Sequence, residues 1–304
     1  MLLLLFLIML GIICWGYFFQ NNGWVIHNVS ETFTQAGDFD LTMHILDVEQ
    51  GECILVESDG EAMIIDAGSD DDADTILEYL EHAHVSELKY LILTHGHEDH
   101  IGSADDLLYD MPVDKVFYSG VEEETVYAGE LSNAVEKMGV PEEIPVVGDV
   151  YIIGDASFEI LLDGQSAYNI SENVNDGSIG IMITNGDNNF LLYGDGECAA
   201  EQLLIDSGKD LSADVLKVAH HGSNTSTNEE LLERVRPRYA VISCGINNPY
   251  YYPHQAVLNE LSEADVSVYR TDVQGTIVIH SDGVNLDVNG DATKNLGTDA
   301  GEVQ

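Results

Sequence analysis

The stretch Thr94-His95-Gly96-His97-Glu98-Asp99-His100 constrains this chain more than any other feature. It directly follows Tyr90-Leu91-Ile92-Leu93, a short apolar run of the kind that forms a buried strand. Three imidazoles and an aspartate within six residues are good ligands for Zn, Mn or Fe. A loop leaving a strand turns His95 and His97 toward one ion, while Asp99 and His100, at the start of the next helix, turn toward a second. Two ions about 3.5–4 Å apart share a hydroxide nucleophile and clamp a phosphoryl or acyl oxygen. A fold that uses this loop must bring more ligands to the same place.

Candidates stand at the ends of other expected strands. Tyr193-Gly194-Asp195 closes the run Phe190–Tyr193, and Asp195 either bridges two ions or begins an Asp-Gly turn. His220-His221-Gly222-Ser223 closes Val215–Ala219. Neighbouring side chains on a strand point to opposite faces, so one of His220 and His221 ligates while the other supports it or touches substrate. Asp66, in Ile65-Asp66-Ala67-Gly68, either holds a ligand histidine by a hydrogen bond or serves only the turn.

Strand-like and helix-like segments alternate along the chain. Short β-rich runs at Leu41–Leu46, Cys53–Glu57 and Ala62–Asp66 precede a helix over Asp74–Ala83, whose Ile76, Leu77, Leu80 and Ala83 share one face. Further helices are expected over Val121–Met138, Ala199–Ile205, Asn228–Val235 and Gln255–Ser262. Further strands are expected over Val116–Tyr118, Val146–Leu162, Ile179–Thr184, Tyr239–Ser243, Val266–Tyr269 and Thr276–His280. Strands clustered early and βα alternation later indicate a mixed sheet assembly flanked by helices. The domain spans residues 41–283, after a polar linker at 21–40 and before a Gly/Asn/Asp-rich tail at 284–304.

Residues 2–19 carry no charge, and only Gly interrupts their apolar side chains. A span of about 20 such residues crosses a bilayer. The first basic residue is Lys89 and no small-x-small site follows the run, so residues 1–20 read as an uncleaved anchor ahead of a cleaved signal or a buried core helix. The domain is then membrane-anchored and extracytoplasmic, or secreted. The four cysteines, Cys14, Cys53, Cys198 and Cys244, form no CxxC pair; Cys14 lies in the apolar run and the other three read as small buried residues.

Charge narrows the function. Asp and Glu total 55 against 10 Lys and Arg, a formal net charge of −45, which excludes a protein that grips nucleic acid by a broad basic surface. Arg234, Arg236 and Arg238 are the only basic cluster and suit a helix C-terminus.

Taken together, Asp66-Ala67-Gly68, His95-x-His97-x-Asp99-His100, Gly194-Asp195 and His220-His221-Gly222-Ser223 resemble the metallo-β-lactamase superfamily. More narrowly, Asp47-Val48-Glu49-Gln50-Gly51-Glu52, Lys217-Val218-Ala219-His220-His221-Gly222-Ser223 and Tyr269-Arg270-Thr271-Asp272 with Gly275 are similar to the hydrolase domain of the ComEC/Rec2 competence family. The resemblance covers about residues 41–283. It implies a four-layer αββα sandwich with two divalent ions, Zn or Mn, at one edge between the sheets. It implies His95, His97, Asp99, His100, Asp195 and one of His220/His221 as ligands, with Asp99 and the histidine pair catalytic. Asp66, Ser178, Ser223, Lys217 and His254 would support ligands or touch substrate.

There are departures. Many superfamily members place a third histidine in a middle motif that here reads Asn175-Asp176-Gly177-Ser178, a feature the ComEC-like group shares. The usual Gly-His-Pro reads Tyr252-Pro253-His254, so His254 either replaces that histidine or merely starts a helix. Lys217 either neutralises a phosphate or faces solvent. Tyr250, Tyr251 and Tyr252 either stack on a base or a choline-like group or fill a loop. The expected function is a phosphodiesterase or nuclease, with DNA as the substrate the resemblance implies. The alternatives are hydrolysis of a small or wall-bound phosphodiester, such as a teichoic-acid phosphocholine ester, and a non-catalytic competence-accessory module.

Overall fold

The structure, a computed structural model, describes residues 41–121, 125–290 and 292. Period-two alternation decides its layers. In β1 (Leu41–Ile45), β2 (Ile54–Ser58), β3 (Glu61–Ile65) and β4 (Tyr90–Leu93), one parity places Leu41, Met43, Ile45, Ile54, Val56, Met63, Ile65 and Ile92 in a single buried cluster. Phe190 and Leu192 of β10 (Asn188–Leu192) and Val241 of β12 (Tyr239–Ile242) enter the same cluster from a second sheet. The other parity of the first sheet, Leu55, Ile64, Leu91 and Leu93, meets Ile76 and Leu80 of α1 (Ala73–His82). That of the second, Leu191, Ala240 and Ile242, meets helices over Cys198–Asp206, Glu229–Val235 and Gln255–Glu263. Strands with both faces apolar are buried on both sides, and the result is helix, sheet, sheet, helix.

The first sheet continues through β5 (Val116–Tyr118) to β6 (Glu142–Glu143). β7 (Val150–Ile153), β8 (Ala156–Asp163) and β9 (Ile179–Asn185) belong to the second, with β11 (Val215–Lys217) and β13 (Ser267–Arg270). β14 (Ile277–Ser281) and β15 (Leu286–Val288) complete the first sheet, whose order is β15-β14-β1-β2-β3-β4-β5-β6; the second is β13-β12-β11-β10-β9-β8-β7. Pairs β3–β4, β10–β11 and β11–β12 are parallel, so their C-terminal ends exit on the same side. Crevices at the carboxyl ends of parallel strands are where α/β sheets bind ligands.

Several expectations need correction. The ordered domain does not stop at residue 283: Leu286–Val288 is a strand paired with β14, because Leu286 and Val288 supply apolar faces to the inter-sheet core. The helix expected from Val121 runs over Val126–Met138, started by Thr125, whose hydroxyl accepts the Ala128 amide, and ended at left-handed Gly139. A short helix over Gln165–Ser171 was not expected, and its one buried residue, Ala167, explains why. Among the described residues no helix is long and apolar enough to cross a membrane. The anchor reading of residues 2–19 lies outside the described residues.

Candidate active site

The site is assembled from five chain segments that leave the sheets on one side. Asp66 leaves β3 in a left-handed conformation (φ 59°) that non-glycine residues adopt only at a cost. The turn brings its buried carboxylate under β4. Oδ1 accepts the Thr94 amide at 2.7 Å, and Oδ2 accepts the Thr94 hydroxyl at 2.8 Å and His100 Nδ1 at 2.7 Å. With Nδ1 donating, His100 turns Nε2 away from Asp66 and toward Asp195 Oδ1, 3.3 Å away. Burial opposes a charge on His100, but Asp195 and Asp66 on its two sides pull its pKa well above the ordinary value.

His95 is fixed in the same way from the other side. Its Nδ1 lies 3.2 Å from the Thr94 hydroxyl and 3.4 Å from that of Ser178. Its Nε2 points inward, 3.1 Å from His97 Nδ1 and 4.0 Å from Asp195 Oδ2. Burial holds the His95 imidazole well below its ordinary pKa, so it is neutral and able to ligate.

Asp195 is the hub. Gly194 before it has φ 53° and threads between two side chains: a Cβ there would lie 2.7 Å from Thr94 Oγ1 and 2.8 Å from Ser178 Oγ. The Asp195 amide donates to Ser178 Oγ at 3.1 Å. Its Oδ2 lies 3.8 Å from His220 Nε2 and 3.7 Å from His221 Nε2. Burial raises its pKa, but the imidazoles of His100 and His221 outweigh this and hold the carboxyl well below the usual range.

The adjacent histidines divide their roles. Both adopt left-handed backbone, φ 50° at His220 and 54° at His221. His221 is buried and donates Nδ1 to the Ser243 carbonyl at 3.0 Å, which leaves Nε2 facing Asp99 Oδ2 at 3.5 Å. His220 lies at the rim. Its Nδ1 is 3.2 Å from both Glu197 Oε1 and Thr225 Oγ1, and its Nε2 is 3.2 Å from the Tyr252 hydroxyl. His221 is therefore the histidine aimed into the centre.

These atoms fit divalent cations. His100 Nε2, Asp195 Oδ1 and His221 Nε2 are buried without a hydrogen-bond partner. Each faces another ionisable group instead, His100 Nε2 toward Asp195 Oδ1 at 3.3 Å and His221 Nε2 toward Asp99 Oδ2 at 3.5 Å and Asp195 Oδ2 at 3.7 Å, and imidazole nitrogens and carboxylate oxygens so arranged are a donor set for a divalent cation. Two groups, His95–His100–Asp195 and Asp99–His100–His221, each hold their ligand atoms within 4.8 Å of one another. His97 reaches the first group through His95.

The remaining predicted residues fall into two sets. Ser178 touches both His95 and Asp195. Ser223 is buried and its hydroxyl meets that of Thr225 at 3.0 Å, beside His220. His254 accepts the Asn224 amide at 3.0 Å and so braces the loop after the histidine pair while it precedes a helix. Lys217 corrects both sequence readings: it neither faces solvent nor stands free for a phosphate. It is buried, and its ammonium lies 2.5 Å from the buried carboxylate of Glu52. As a strand residue of inward parity it had to find an acidic partner, and Glu52, 165 residues away, supplies it. Two rim residues escaped the sequence reading as partners of His220: Glu197, two residues after Asp195, and Tyr252. The only signal for Glu197 is a second carboxylate in Gly194-Asp195-Gly196-Glu197. In the middle motif, Asn175 donates to Glu197 at 2.9 Å and Asp176 accepts the Glu197 and Ala200 amides, so this segment anchors the rim.

Comparison with known proteins agrees with this geometry. The family model of the metallo-beta-lactamase superfamily matches residues 46–246, and the chain belongs to that superfamily. It is 36% identical over 207 residues to ComE operon protein 3 of Bacillus subtilis, covering 66% of this chain and 26% of that protein. It is 33% identical over 242 residues to Recombination protein 2 of Haemophilus influenzae, covering 77% and 28%, and 29% identical over 235 residues to competence protein ComA of Neisseria gonorrhoeae, covering 77% and 31%. The chain thus spans about a quarter to a third of the length of these relatives. Among solved structures, the metallo-beta-lactamase fold protein YhfI of Bacillus subtilis shares the fold at TM-score 0.51 and 13% identity, over 79% of this chain and 98% of that one. The diiron beta-hydroxylase CmlA of Streptomyces venezuelae does so at TM-score 0.50 and 10% identity, over 80% and 54%.

Proposed function

We propose that this chain is a phosphodiesterase of the ComEC type, acting on DNA with two divalent ions, Zn or Mn. The observation that carries the reading is the convergence of His95, His100 and His221 on Asp195, with His97 against His95, Asp99 against His221 and His220 beside them. His95 and His97 with Asp195 would hold one ion; Asp99, His100 and His221 with Asp195 would hold the other. Such ions would supply positive charge beside the phosphoryl oxygens and would lower the pKa of a water. The chain's own residues do the rest. Asp66 and Ser243 fix the imidazoles of His100 and His221 with Nε2 inward. Asp99, on the rim side of that centre, lines the approach to substrate. His220, held by Glu197 and Tyr252, stands where it can pass a proton to a leaving oxygen. Matches to competence proteins support DNA as the substrate. Residues 2–19 would anchor the domain at a membrane, facing outward.

The test is full-length protein loaded with Zn or Mn and offered labelled single-stranded DNA and a p-nitrophenyl phosphocholine ester. Cleavage of DNA that is lost in His97→Ala and Asp195→Asn is the expected result. Cleavage of the choline ester alone would select the cell-wall alternative. Activity on neither, or activity indifferent to both substitutions, refutes the reading.

A further inference from the structure

The segment Tyr250-Tyr251-Tyr252 lies beside the metal centre, and its rings are ordered. Tyr252 lies over His221 at a centroid distance of 6.2 Å and an interplanar angle of 19°. Tyr250 lies over Tyr252 at 5.4 Å and 18°. Three nearly parallel rings thus run outward from the centre: His221 is buried, Tyr252 is half-buried and Tyr250 is 57% exposed. The separations are those of offset stacking.

The loop is held for this purpose at a visible cost. Tyr251 takes a left-handed backbone (φ 63°) and turns an 80% exposed ring to solvent. Asn248 clamps the turn: its Nδ2 donates to the Gly245 carbonyl at 3.0 Å and the Tyr252 carbonyl at 2.7 Å, while its Oδ1 accepts the Tyr252 amide at 2.9 Å. The Tyr252 hydroxyl is committed to His220. A strained loop, held by three hydrogen bonds to Asn248, that ends in an exposed aromatic face is costly to maintain if it only fills space.

From this stack we infer that Tyr250 is a platform for a nucleobase, placed so that the nucleotide beside the scissile phosphate stacks on it; the inference rests on the phosphodiesterase reading for the identity of that phosphate. One open flat face suits a planar base. A quaternary ammonium group is instead bound by several rings arranged around it, and this stack offers only one face. Stacking also answers the problem set by charge. A chain of net charge −45 repels a polyanion at long range, whereas base–aromatic stacking needs no cation and accepts any base. The substrate class is therefore unpaired nucleic acid, because a base inside a duplex has no free face.

The experiment measures binding and cleavage separately, on the full-length, metal-loaded protein at about 0.3 M salt to screen the acidic surface. The probes are a phosphorothioate-linked decathymidylate, its abasic counterpart with the same linkages, and phosphocholine. Tyr250→Ala is expected to weaken decathymidylate binding by about 5- to 150-fold, the range for loss of one stacked base, and to leave the abasic strand unchanged. Tyr250→Phe and Tyr250→Trp keep a flat face and are expected to restore binding. Equal weakening of both strands, no weakening of either, or an effect confined to phosphocholine overturns the platform. Cleavage of the phosphodiester-linked strands is assayed alongside. Tyr250-dependent binding without any cleavage sustains the platform and refutes the phosphodiesterase, whereas cleavage without Tyr250-dependent binding does the reverse.

Discussion

The inner and outer halves of the site are built on different principles. Inside, His95, His100, Asp195 and His221 are buried, and each is fixed by a neighbour that leaves its ligating atom bare: Thr94 and Ser178 for His95, Asp66 for His100, the Ser243 carbonyl for His221 and, through the Asp195 amide, Ser178 for Asp195. Outside, on loops, His220 is held by Glu197, Thr225 and Tyr252, and Tyr250 stacks on Tyr252. The inner half is fixed by strand ends and suits one task, the holding of cations. The outer half hangs on loops that can differ without disturbing the sheets, and on the proposed reading it is where substrate would be selected.

Substitutions in the two halves should separate accordingly. The largest expected effect is at His221: His221→Ala removes an inward ligand and should abolish both activity and part of the metal content. His220→Ala should lower kcat by about 10²–10⁴-fold with metal content intact, as loss of a proton donor does. If elemental analysis shows the two variants alike, the division between the halves fails. Beneath the inner half, Lys217→Met leaves Glu52 buried and unpaired, and urea unfolding should show a loss of about 3–5 kcal/mol. Adding Glu52→Leu should recover most of it; a double variant no better than the single would contradict the pairing. Asp66→Asn should weaken metal affinity by about 10- to 100-fold, measured by chelator competition, because the His100 imidazole loses its orienting carboxylate.

The smallest effect concerns the turn that follows Asp66. Asp72 accepts the Ser69 amide at 2.7 Å, and burial, with Glu98, Asp71 and Glu49 nearby, pushes its carboxyl up to about 6 from 3.8. The folded state therefore binds this proton more tightly than the unfolded chain. The stability it contributes is present below about pH 4 and is lost as the pH rises through 6. The difference in unfolding free energy between wild type and Asp72→Asn should fall from pH 4 to 7, and a difference that rises over that interval contradicts the assignment.

The same division explains what the sequence disclosed. The inner residues were legible because each stands where an apolar run ends: His95 after Leu93, Asp195 after Tyr193, His220-His221 after Ala219. Strand ends can be read from local pattern, and parallel strands bring their ends together. The choice between His220 and His221 was not legible, since it depends on a left-handed turn and on the carbonyl of Ser243, the residue that follows β12. Nor was the fate of Lys217, because parity shows that a strand residue points inward but not that Glu52 lies opposite. Tyr252 meets His220 across 32 residues by way of a loop with no periodic pattern, so only its aromatic neighbours hinted at a role. β15 was missed because a three-residue strand in a Gly/Asn/Asp-rich context carries too little apolar signal to stand out.

The most direct test of the whole account is the metal content of the full-length protein beside Asp195→Asn after equilibration with Zn or Mn and removal of free ion. Two ions per chain in the wild type, and at most one in Asp195→Asn, is the result expected if the unpartnered atoms of His100, Asp195 and His221 converge on cations. A wild type that retains none, or a variant that retains both, would contradict it.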